Sequence, residues 1–169
     1  MIKAIDQYLK PDYYTGNLLQ VDFTGFFSQG FRLVLIDVDN TLSRHGSKIA
    51  DGYARKVITA IQAAGLSCMI VSNAGLRRIR SYAMDVGLPY HARSHKPLTK
   101  ALDLACRQHA VRPEQTLMIG DQILTDILGG KRAGCKTILV RPRDRREPWG
   151  LYLKRLIEKI LLRRFKIKV

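Results

Sequence analysis

Acidic residues are scarce in this chain. Fourteen Asp and Glu stand against 29 Lys and Arg over 169 residues, a formal charge of +15. A balance that basic disfavours cationic partners and points to polyanionic ones: nucleic acid, anionic lipid or a phosphorylated substrate. Cysteine is also sparse. Cys68, Cys106 and Cys135 are odd in number, widely spaced and form no C-x-x-C pair. That argues against a disulfide framework or a zinc site and for reduced thiols in a cytosolic compartment. No run approaches the roughly 18 apolar residues of a membrane span. Met1 to Gln7 lacks the apolar core of a signal peptide. The expected location is therefore cytoplasmic, with peripheral attachment to the inner face of a membrane left open. Internal repeats and low-complexity tracts are missing too. What remains is an ordinary globular composition, 46% apolar and 25% charged, in a chain long enough for one domain that buries roughly 70% of its unfolded surface.

The rest of the chain is organised around Phe31 to Leu42. Phe31-Arg32-Leu33-Val34-Leu35-Ile36 is an apolar run of the kind that forms a buried parallel strand. It ends in Asp37-Val38-Asp39-Asn40-Thr41. Ligand sites in open α/β sheets collect at the carboxyl ends of strands. Two acids there cannot stay buried without partners, and a metal ion would supply one.

Downstream, strand and helix patterns alternate. Asp51 to Ala64 has helical spacing, with Tyr53, Val57, Ile58 and Ile61 on one face and Gly65 as a C-terminal stop. Leu66 to Val71 reads as a strand ending at Ser72-Asn73, and Leu76 to Val86 as a helix closed by Gly87. A short extended piece at Pro89 to Ala92 leads to Lys96-Pro97. A helix follows from Leu98 to His109, a strand from Thr116 to Ile119 ending at Gly120-Asp121, a helix from Asp126 to Ala133 and a last strand from Lys136 to Val140. This alternation predicts a doubly wound α/β domain with a parallel sheet and right-handed crossovers. Residues 1–30 have no clear period and are expected to pack on a core spanning 31–141. Residues 142–169 are read as a basic amphipathic helix. From Arg141 onward there are eleven Lys or Arg and only three Asp or Glu. Trp149, Leu153, Leu156, Ile157 and Ile160 share its apolar face, suited either to docking on the sheet or to lying on anionic lipid.

Four polar positions thus fall at strand ends: Asp37/Asp39, Ser72, Lys96 and Asp121/Asp126. Taken singly, each has an ordinary explanation, because Ser and Asp cap helices and Lys-Pro is common on surfaces. Taken together and in order, they resemble the haloacid dehalogenase (HAD) superfamily of phosphotransferases. The resemblance rests on Asp37-Val38-Asp39-Asn40-Thr41, Ser72-Asn73, Lys96-Pro97 and Gly120-Asp121 through Asp126. It implies a Rossmann-like sheet of about five strands in the order 3-2-1-4-5. It further implies Asp37 as nucleophile, Asp39 as general acid and base, and Lys96 as a balancing and phosphate-holding cation. Thr41, Ser72 and Asn73 would join Lys96 around the phosphate. Mg²⁺ would be held by Asp37, Asp39 through its carbonyl, Asp121 and Asp126.

Only eight residues separate Leu42 from Asp51, and Asn73 to Lys96 holds about one helix. Neither gap fits a cap domain, so the crevice should lie open to large substrates. Lys10-Pro11-Asp12, Thr125-Asp126-Ile127-Leu128-Gly129-Gly130 and the basic tail are similar to the capless subclass IIIA phosphatases of YqeG type, relatives of the mitochondrial phosphatidylglycerophosphate phosphatase. Ala74, where that group usually has a second Asn, and Ser94-His95 depart from the pattern. The implied substrate is a phosphorylated lipid, most simply phosphatidylglycerophosphate, met at an anionic membrane. The alternatives are nucleic-acid ends, small phosphorylated metabolites, or a non-catalytic basic assembly factor on the same scaffold.

Overall fold

A computed structural model describes residues 2–144 and 152–167, with side chains for 6–144 and 156–167. Six strands, all parallel to their neighbours, form one sheet: β1 (Tyr13–Thr15), β2 (Leu33–Ile36), β3 (Ser67–Val71), β4 (Tyr90–His91), β5 (Thr116–Gly120) and β6 (Lys136–Val140). Their order is β1-β6-β5-β2-β3-β4. The five strands expected from the sequence stand in the expected order. The difference is an additional edge strand, β1, from the segment that has no readable period.

The apolar runs are continuous because both faces of the sheet are covered. Along β2, Val34 and Ile36 enter one core and Leu33 and Leu35 the other. The same alternation holds for Ile70 and Met69 in β3 and for Ile119 and Met118 in β5, as the two-residue period of a strand requires. On the first face lie α2 (Phe23–Ser28), α3 (Gly52–Ala63) and α4 (Leu76–Val86). On the other lie α5 (Lys100–Gln108) and α6 (Leu128–Arg132). α6 comes in close at Gly130, where a Cβ would sit 2.8 Å from both Met118 Cβ and Thr137 Cγ2. Local signals set the helix ends. Asp51 caps α3 by accepting the Ala54 N–H at 2.9 Å, and Gly87, at φ +67°, closes α4.

Asp12 helps β1 add to the sheet. Its carboxylate accepts from the Thr137 N–H at 2.8 Å and hydroxyl at 2.9 Å and pairs with Lys131 Nζ at 2.6 Å. An isolated three-residue strand has little intrinsic stability, and these side-chain bonds reinforce the ladder that pairs Tyr13–Thr15 with β6. α1 (Ile2–Leu9) precedes it.

Two expectations need correction. The helix read from Asp126 starts instead as a π-helical turn, Ile123–Ile127, before α6 continues it. Its reason is the Asp126 carboxylate, which folds back to accept the Gln122 N–H at 3.0 Å. The terminal helix α7 (Tyr152–Arg164) does not dock by the apolar face read from the sequence. Leu156, Ile157 and Ile160 are 49%, 41% and 59% exposed. The docked side is instead Glu158, buried, with Leu161 and Leu162 against Ile123, Ile127 and Leu139. Glu158 accepts the Ile123 N–H at 2.8 Å, which fixes the rotation of the helix. Trp149 and the Leu153 side chain lie outside the described residues. Among the described residues, no helix is long and apolar enough to cross a membrane.

Candidate active site

β2 and β5 lie side by side at the centre of the sheet, where the chain order reverses direction, and each ends in an aspartate. Asp37 continues the β2 ladder by donating its N–H to Ile119 O at 3.0 Å. Asp121 follows β5 directly. Asp126 is brought back to them by the π-helical turn. Gly120 makes that return possible, because a Cβ there would lie 2.2 Å from Asp126 Cγ. All three carboxylates are buried, and one oxygen of each lies within 4.8 Å of the others.

One ammonium sits among them. Lys96 Nζ pairs with Asp126 Oδ1 at 2.7 Å and donates to Asp37 Oδ1 at 3.0 Å and Val71 O at 2.6 Å. Burial alone would lower the Lys96 pKa, but Asp126 and Asp37 outweigh it and hold the lysine charged. Burial pushes Asp37 up to about 6; Lys96 opposes this, and Asp126 and Asp39 add to it. Lys96 is carried on a bend with a cis Lys96–Pro97 bond. Asn73 holds that bend from beneath. Its Oδ1 accepts from Lys96 N–H at 2.7 Å and Ser94 Oγ at 2.8 Å, and its Nδ2 donates to Lys96 O at 3.0 Å.

The phosphate-side residues read from the sequence are placed unequally. Ser72 is buried at the end of β3 and borders the crevice. Asn73 borders it too, but its amide is engaged with the Lys96 bend, which leaves its backbone for a ligand. Thr41 is fully buried, outside the crevice lining, and its hydroxyl has no hydrogen-bond partner. Asp39 stands apart from the three carboxylates, just before Asn40, which takes a left-handed conformation, φ +57°. The Asp39 carboxylate faces Arg78 and His45 rather than the acid cluster. Any part it has in holding an ion falls to its backbone.

The resulting crevice has a volume of about 370 Å³ and is open to solvent, bordered by Asp37, Ser72, Lys96 and Asp126 and also by Asp39, His45 and Arg78. Sequence reading missed Arg78. It belongs to an Arg-rich helix start, Arg77-Arg78 and Arg80, which reads as a solvated face until the fold brings it across to Asp39.

Three buried carboxylates gathered within reach of one another form a site that favours a cation. The donors are all hard oxygens, which suits Mg²⁺ or a similar divalent ion. An ion there would be held by Asp37, Asp121 and Asp126.

The chain's likeness to known proteins agrees with this arrangement. A family model described as HAD-hydrolase-like matches residues 94–148. The probable phosphatase YqeG of Bacillus subtilis is 29% identical over 164 residues, covering 97% of this chain and 95% of that protein. The chloroplastic phosphatidylglycerophosphate phosphatase 1 of Chlamydomonas reinhardtii is 28% identical, covering 92% of this chain and 61% of that longer protein. Among solved structures, the cobalt-bound deoxy-D-mannose-octulosonate 8-phosphate phosphatase of Haemophilus influenzae superposes with a TM-score of 0.54 at 17% identity, covering 82% of this chain and 91% of that one. The last likeness is one of fold.

Proposed function

We propose that this chain, in its likeness to the HAD hydrolases, is a Mg²⁺-dependent phosphomonoesterase acting on a phosphorylated lipid, most simply phosphatidylglycerophosphate. The observation that carries the reaction is the set of three buried carboxylates around Lys96 at the end of the central strands. Each residue then has a task. An oxygen of Asp37 attacks phosphorus; the bond to the leaving alcohol breaks, and Asp39 gives that alcohol its proton. The product is an aspartyl-phosphate. Asp39 then takes a proton from water, the water oxygen attacks phosphorus, and the bond to Asp37 breaks to release inorganic phosphate. Ser72 and Lys96 hold the phosphoryl oxygens, and Lys96 keeps Asp37 and Asp126 from repelling an anionic substrate. A bound divalent ion would supply the remaining positive charge at the nucleophile and phosphate.

The lipid assignment draws on other observations. The crevice is open, as a substrate embedded in a surface requires. Bordering Asp121, an apolar cavity of about 210 Å³ is lined by Tyr14, Ile123, Leu139 and Leu156, from β1, the π-helical turn, β6 and α7. Leu156, Ile157 and Ile160 stand exposed on α7 beside Lys159, Arg163 and Arg164. An exposed apolar stripe flanked by cations is what an anionic bilayer binds. The curated relatives that share most of the chain include an enzyme named for phosphatidylglycerophosphate.

A substrate panel tests the assignment. Phosphate release should be fastest from phosphatidylglycerophosphate in anionic vesicles and slow from 3′- or 5′-phosphorylated oligonucleotides. The reverse order would make the basic surface a nucleic-acid site and end the lipid reading.

A further inference from the structure

The proposed general acid has both carboxylate oxygens engaged. Arg78, in the first turn of α4, sends both terminal nitrogens to Asp39: Nη1 donates to Oδ1 at 3.0 Å and Nη2 donates to Oδ2. Oδ1 also accepts the Gly46 N–H at 2.8 Å, and His45 Nδ1 lies 3.6 Å from it. Both oxygens accept from Arg78, so the carboxylate is held in the guanidinium fork, and its freedom to turn toward a leaving-group oxygen depends on that contact. Arg78 is placed to move. Its side chain is 20% exposed, its one other bond goes to Ser47 O at 3.2 Å, and it borders the same crevice as Asp37 and Lys96.

What draws a guanidinium from a carboxylate is a competing oxyanion that it can also grip with two N–H groups. In the proposed reaction the scissile phosphoryl group is held by Ser72 and Lys96, which leaves Arg78 free of that role while it borders the same crevice. The geometry points to a second anion site at Arg78, flanked by His45, which takes an oxyanion on the alcohol side of the substrate and in doing so releases Asp39. This rests on the phosphatase reading and deepens it. The preferred substrate is a phosphomonoester whose leaving alcohol carries a further anionic group, such as a phosphodiester. A headgroup with a terminal monoester one glycerol away from a diester has this form; a simple glycerol or aryl phosphate does not. Substrates without the second anion are turned over only by the fraction of molecules in which Arg78 has already swung away.

Two water-soluble esters with the same scissile group test this without any membrane: glycerol 1-phosphate and the deacylated headgroup glycerophosphoglycerol phosphate. The full chain should favour the second in kcat/KM by about 10- to 100-fold, the worth of one or two charge-assisted hydrogen bonds. Arg78→Gln should erase that ratio. Arg78→Lys, which keeps the charge but not the fork, should keep part of it. Titration calorimetry with the diester alone, glycerophosphoglycerol, reads the same site without turnover and should show binding weakened by a similar factor in Arg78→Gln. If Arg78 serves only to position Asp39, both esters slow by one common factor and the diester binds wild type and variant alike, which overturns the proposal. A wild-type ratio near one does the same. Release of phosphate from neither ester by the wild type would instead remove the phosphatase reading beneath it.

Discussion

At Lys96 a single ammonium answers two buried carboxylates, at 2.7 Å from Asp126 and 3.0 Å from Asp37. Removing one member of a buried ion group strands the charges left behind, a loss of about 3–5 kcal/mol. Lys96→Met should therefore lower stability by an amount in that range in urea unfolding with chelator present, and reduce turnover by at least about 100-fold. Unchanged unfolding would mean that the carboxylates are not held by this lysine. Asp37 and Asp121 are legible in the sequence because each follows an apolar run, Lys96 because it opens a Lys-Pro pair, and Asp126 through the spacing that carries the HAD resemblance. Arg78 is not. Its partner is 39 residues away, and nothing in the spacing of Arg77, Arg78 and Arg80 says which of them turns inward. Thr41, read as a phosphate ligand by its place in the motif, is buried and lies outside the crevice lining.

Among the elements, the sheet's centre was readable and its edge was not. β2, β3, β5 and β6 are apolar runs because both of their faces are covered, and such runs stand out in any window. β1 is three residues long, too short for a readable period, and the carboxylate of Asp12 reinforces its ladder with β6. That reinforcement is measurable. Burial alone would raise the Asp12 pKa, but Lys131 and the Thr137 donors outweigh it and hold the carboxyl below its ordinary 3.8. A group whose pKa is depressed by folding contributes stability that is present above its unfolded value and fades as pH falls through the folded one. Asp12→Asn should thus cost about 1–3 kcal/mol at pH 7 and progressively less below about pH 4. A cost that did not change with pH would assign the effect to packing. The terminal helix shows why amphipathic pattern alone could not orient α7. Its helical period was right, but a buried Glu158 bonded to Ile123 N–H turns the apolar stripe outward, and no periodicity rule anticipates a carboxylate on the docked face.

Over the whole molecule, a charge of +15 and the outward stripe of α7 act together. Binding to vesicles containing anionic lipid should fall steeply with salt, since electrostatic attraction at a surface is screened within about 8–10 Å at physiological ionic strength. Replacing Ile157 and Ile160 with Asp should weaken co-sedimentation at low salt by about 10-fold or more, from lost apolar burial and added repulsion. Because neither residue borders the crevice, hydrolysis of a soluble aryl phosphate by the same variant separates surface attachment from chemistry. Sedimentation indifferent to both salt and substitution would place the lipid contact elsewhere or nowhere.

The account as a whole stands on Asp37 as the nucleophile of a Mg²⁺-dependent phosphatase. Its most direct test is phosphate release from phosphatidylglycerophosphate by wild type and Asp37→Asn, side by side in Mg²⁺. The wild type should release phosphate and lose that activity on chelation, while a folded Asp37→Asn releases none. Continued release by Asp37→Asn at a rate near wild type would contradict the account at its centre.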